Sequence, residues 1–225
     1  MNRRALRPRA VLAWATAACL GYGLLVAAAR PWYLRWGATD DEVRRPLPGD
    51  GLMDRAGAHH AVTIAAPPEA VWPWLAQIGQ DRGGFYSYTW LENLLLAGIR
   101  NADRVHPEWQ RLAPGDTVRL ASEQVYGDLP LLRVAAVEPG RHLVLEGWGA
   151  FVLLPAGENR TRLLVRSHAR KTGPLGAAVD VLVFEPAHFV MERKMLLGIR
   201  RRAEAAWSGG SAERQPARDA LDVPR

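Results

Sequence analysis

Residues 66–109, APPEAVWPWLAQIGQDRGGFYSYTWLENLLLAGIRNADRVHPEW, constrain the fold of this chain more than any other stretch. One short alternating run precedes them and about five strand-like runs and a long helix follow, so two helical segments sit between a first strand and a meander. Pro67 and Pro68 are tolerated in a first helical turn and Glu69 suits its positive end. Val71, Trp74/Leu75 and Ile78 recur at helical spacing up to Gly79, while Pro73, lacking an amide donor, predicts a short or kinked helix. Gly83-Gly84 mark a loop. Thr89 and Glu92 predict a capping box for a second helix, with Leu91, Leu94 and Leu95 as its buried stripe and Gly98 as its end.

Upstream, residues 1–9 are basic and residues 10–29 carry no charge. At ~1.5 Å per residue, such a helix just crosses the ~30 Å apolar core of a bilayer. A cleaved signal peptide would use Ala27-Ala28-Ala29, but its apolar part is usually shorter, about 7–15 residues. A retained anchor fits the length better, with Trp32, Tyr33 and Trp36 as an interfacial aromatic belt. The arginines before the span predict a cytoplasmic N-terminus and an extracytoplasmic domain at the cell membrane, whereas Arg30, Arg35, Arg44 and Arg45 weigh against that orientation. Residues 1–36 thus read as tip and anchor. Residues 37–57, with Pro46, Pro48, Gly49 and Gly51, read as a linker.

Val62 and Ile64 alternate in a first strand at 59–65, preceded by a solvated end at His59-His60. Runs at 117–121, 131–137, 142–146, 150–154 and 161–167, joined by short turns, predict an antiparallel meander buried on one face. An apolar helix at 176–184 precedes a longer one begun by Pro186, in which Phe184, His188, Met191 and Met195 share a face opposite Glu192 and Arg193. The domain closes near Trp207, and 208–225 reads as a disordered tail.

The formal charge of +6 over 225 residues hints at nucleic acid until it is located. Arg3, Arg4, Arg7, Arg9, Arg200, Arg201 and Arg202 exceed the whole excess, so the body is near neutral and lacks a phosphate-binding stripe. Cys19 is the only cysteine, which excludes an intrachain disulfide and a cysteine metal cluster.

The order strand, two short helices, meander, long C-terminal helix is that of an α+β helix-grip fold. The segment VTIAAPPEAVWPWLAQIG (62–79) resembles the opening of the SRPBCC/START-like superfamily, which includes polyketide cyclase/dehydrase and lipid-transfer-like proteins. DRGGFYSYTWLENLL, running into NADRVHPEW, resembles a membrane-anchored bacterial branch of it. The resemblance covers residues 58–207 and implies a curved antiparallel sheet around the long helix, enclosing a cavity.

It also implies a hydrophobic lipid- or polyketide-like ligand, held by some of Trp74, Phe85, Tyr86, Tyr88, Trp90, Phe184, His188, Met191 and Met195. A cyclase or dehydratase would need only a placed proton donor and acceptor, for which Tyr86, His106 and Asp103 are candidates, with Tyr88 and Glu92 of suitable type. A structural or protein-interaction domain without a ligand is the third possibility. No metal or other cofactor is expected, and HExxH and GxSxG motifs are absent from the sequence.

Overall fold

A computed structural model of the protein describes residues 8–52, 56–94, 96–129, 131–169 and 173–219, with the side chains of 8–10 and 209–219 excepted. Leu95, the tip at 1–7 and residues 220–225 lie outside the described residues. The architecture is α+β: a six-stranded antiparallel open sheet, a long C-terminal helix, and an N-terminal apolar helix.

Helix α1 (Pro8–Tyr33) contains the candidate membrane span Val11–Tyr33. It is not separated from the domain by a free linker. The carbonyls of Leu34 and Trp36 accept the amides of His59 (2.7 Å) and Ala61 (3.1 Å) on strand β1 (Ala56–Ile64), so the chain leaving α1 pairs with the sheet edge. Tyr33 is buried and Trp36 half-buried against the core, and of the predicted aromatic belt only Trp32 stays exposed.

The segment read as a linker is folded onto the sheet's outer face. Helix α2 (Asp40–Arg44) carries a capping box between Thr39 and Glu42. Arg166 on strand β6 (Thr161–His168) reaches the carbonyls of Glu42 (3.1 Å), Val43 (2.9 Å) and Arg45 (2.9 Å) and both carboxylate oxygens of Asp50. Leu47 covers Ala61, Val144, Ala150, Val152 and Leu164, so the central strands are buried on both faces.

The meander follows the predicted runs: β2 (Thr117–Arg119), β3 (Leu131–Glu138), β4 (His142–Leu145), β5 (Gly149–Pro155) and β6. The sheet order is β1-β6-β5-β4-β3-β2, so the first strand pairs with the last and closes the domain's two ends together. On the inner face lie α3 (Pro68–Ala76) and the long helix α7 (Glu185–Asp219), which touch each other. Pro73 does not break α3; as predicted, the helix stays short.

Helix α4 (Thr89–Leu94) departs from expectation. Thr89 Oγ1 accepts from Asn101 Nδ2 at 2.9 Å in place of a capping box, Glu92 turns inward, and Leu94 is exposed. A four-residue helix α5 (Glu123–Tyr126) lies in the longer loop before β3. The apolar helix α6 (Pro174–Val179) is continuous with α7 through a π-helical turn (Asp180–Phe184), so Pro186 sits inside one helix and does not begin a separate one. The α7 backbone runs on past Trp207 to Asp219.

Candidate functional site at Glu192

The buried stripe of α7 is rotated by one residue from the predicted one. It contains Glu192, Met195, Leu196, Ile199 and Ala203, and Met191 is only half-buried, its carbonyl accepting Ser87 Oγ at 2.9 Å. Glu192 therefore lies inside the domain and not on the solvent face. His60 also lies inside, because it shares the β1 face of Val62 and Ile64.

Four groups meet there. Glu192 Oε1 lies 2.7 Å from His60 Nδ1, and Oε2 lies 3.0 Å from His188 Nε2 and 3.2 Å from Trp148 Nε1, an obligate donor in the turn between β4 and β5. His60 Nε2 faces the carbonyl of Tyr33 at 2.8 Å. That carbonyl only accepts, so Nε2 carries a hydrogen and His60 and Glu192 share one further proton between them. The Glu192 side chain is 1% exposed, whereas that of His188, one turn earlier, is 42% exposed. Burial alone would raise the Glu192 carboxyl, but His188 and His60 outweigh it and hold it below the usual carboxylate range. For His188, burial would favour the neutral ring, yet the adjacent carboxylate outweighs it and raises its proton affinity.

Aromatic rings enclose the cluster. Phe189 stacks on Tyr33 (centroids 5.6 Å apart) and meets Trp32 and His60 edge-on, while Trp148 contacts Phe85, Phe151 and His188. A half-exposed imidazole oriented by a buried carboxylate can accept or donate a proton at Nδ1, which makes no hydrogen bond among the described residues.

The other predicted residues fall in several places. Tyr86, with a left-handed backbone (φ 57°), is buried, accepts from Gln77 Nε2 at 2.9 Å and packs on Trp74 and beneath the Arg202 guanidinium. Burial pushes its hydroxyl up to about 12, far from a neutral-pH acid–base group. His106 stacks on Trp109 and pairs with Glu108 at 3.1 Å, and Asp103 is exposed. Buried Gln77 uses its amide to bind the Tyr86 hydroxyl, the Arg104 carbonyl and the His106 amide, and so links the Tyr86 side chain to the loop that carries His106.

Trp74 and Met195 are core residues, Tyr88 lies under Lys194 and beside Trp90, and Trp90 and Phe184 are exposed. Only Phe85 and His188 join at Trp148. Between sheet and helices, Trp74, Phe85, Tyr86, Met195, Leu196 and Ile199 belong to one buried core. An open groove of about 480 Å³ lies elsewhere, between the end of α1, α2 and His59. Among the described residues no three His, Cys, Asp or Glu side chains are grouped to hold a metal.

No protein-family model matches the chain, and no curated protein matches it.

Proposed function

We propose that the chain is a membrane-tethered domain of the helix-grip kind that binds a hydrophobic, lipid- or polyketide-like molecule at the end where α1 joins it, with His188 as the polar contact. The likeness of residues 62–79 to START-like openings supports the fold, together with the antiparallel sheet carrying α3 and α7 on one face. The observation that carries the reading is the half-exposed His188, held by buried Glu192 and one helical turn after exposed Phe184. Such a mixture of apolar surface and one oriented polar group suits an amphiphile. The packed core that includes Trp74, Phe85 and Met195 favours a ligand at the domain's end over one inside it.

The test is saturable binding of a lipid and polyketone panel to the detergent-extracted full chain and to His188→Ala. The reading predicts at least a tenfold loss of affinity with the fold retained by circular dichroism. Equal binding by the variant removes His188 from the site. A second reading, an acid–base enzyme of the cyclase or dehydratase type, is favoured by the Glu192–His188 pair itself. It predicts chemical conversion of a bound polyketone that His188→Ala abolishes.

A further inference from the structure

We infer that residues 174–184 form a second membrane-inserted element, which dips into the acyl-chain layer beside α1 and returns to the domain without crossing. The inference rests on the reading of α1 as an anchor. Leu175, Val179, Leu182, Val183 and Phe184 are exposed on this segment, as Leu20, Leu24 and Leu25 are on α1. Solvent-exposed apolar rows of this extent on two adjoining helices need a covering.

The two helices are joined at three levels. The Tyr22 hydroxyl donates to the Leu182 carbonyl at 2.6 Å, the Arg30 guanidinium binds both oxygens of Glu185 at 2.7 and 2.8 Å, and Phe189 packs on Tyr33. Residue numbers rise together along the contact, so the helices run parallel and approach the domain from the same side. The apolar lipid-facing surface of α1 is thereby continuous with that of residues 174–184.

By length and composition, Pro174–Ser208 qualifies as a membrane span. It does not cross, because the chain leaves the sheet at His168 and is back in the domain by His188, bonded to Glu192. Both ends of the excursion lie on one side. From Glu185 to Leu175 is ten residues, about 15 Å of helix, which is about half of the ~30 Å apolar core. The Arg30–Glu185 pair, with Trp32 and Tyr33 beside it, marks the polar boundary where charges and aromatic rings are tolerated. Asp180, the one charge in 174–184, is half-buried.

The test places an environment-sensitive fluorophore on single cysteines of the full chain in phosphatidylcholine–phosphatidylglycerol vesicles with brominated acyl chains. Native Cys19, exposed on α1, reports the anchor. In a Cys19→Ala background, Leu175→Cys and Val183→Cys report the second element, and Glu158→Cys, on an exposed loop, is the control. The expected result is at least twofold quenching at 19, 175 and 183 with none at 158. Quenching at 19 with 175 and 183 behaving like 158 overturns the inference and leaves the anchor standing. No quenching at 19 removes the anchor and the inference together.

Discussion

His60 Nδ1 on the edge strand lies 2.7 Å from Oε1 of Glu192 on the long helix, with both side chains sealed from solvent. The pair joins the chain's first strand to its last helix and, through Tyr33, to α1. Removing one member strands the other in a low-dielectric site, which costs about 3–5 kcal/mol. Glu192→Ala is therefore expected to lower full-chain stability by that amount in urea unfolding. His188→Ala, whose ring is half-exposed, is expected to cost no more than about 1 kcal/mol. Equal losses would mean that the buried pair holds nothing special.

Glu92 supplies a pH dependence of opposite origin. It is buried, Oε2 has no hydrogen-bond partner among the described residues, and burial raises its carboxyl to about 7. Below the ordinary value of 4.5 it is protonated in both folded and unfolded chains. Between 4.5 and 7 only the folded state keeps the proton, so stability falls as pH rises and the loss is complete above about 7. Glu92→Gln is expected to match the wild type at pH 4.5 and to exceed it by on the order of 3 kcal/mol at pH 8. Parallel stability–pH curves would contradict this.

Gly198 on α7 lies against Tyr86. A Cβ there would fall 2.5 Å from the Tyr86 carbonyl oxygen and 2.8 Å from its Cβ. Alanine gains about 1 kcal/mol of helix propensity over glycine, but overpacking of this kind costs about 1–3 kcal/mol. Gly198→Ala is thus expected to be net destabilising, by up to about 2 kcal/mol in thermal unfolding. A stabilised variant would show that α7 and the Tyr86 loop are not in this close contact.

Arg166 holds the outer layer. Its guanidinium satisfies three carbonyls and Asp50, and charged hydrogen bonds contribute about 1.5–3 kcal/mol each when buried. Arg166→Met is expected to accelerate amide exchange at least tenfold across residues 39–50 while β4 and β5 remain protected. Unchanged exchange would mean that Leu47 alone seats the layer.

The strands, the short α3 and the N-terminal helix, with its uncharged run at 10–29, were legible because period-2 and uninterrupted apolar patterns are local. His60 was within reach too: extending the Val62–Ile64 alternation by two residues puts it on the buried face. Glu192 was not legible because the apolar pattern of the helix favours Met191, whereas the buried face here includes a charge whose partners lie 132 residues away on β1 and one turn back on α7. The outer layer carried a local signal, the Thr39–Glu42 capping box, but its anchor is Arg166, 124 residues from Glu42. Long-range polar pairs of this kind leave no periodicity in a sequence.

Native mass spectrometry of the full chain, gently extracted with detergent from the cells that make it, tests the binding reading most directly. The account predicts one discrete added mass, lost on denaturation and absent or strongly reduced in His188→Ala. A clean apo mass for the wild type, unchanged after incubation with lipids and polyketones, would contradict it and favour a protein-interaction role. An adduct retained in full by His188→Ala would contradict the assignment of the site.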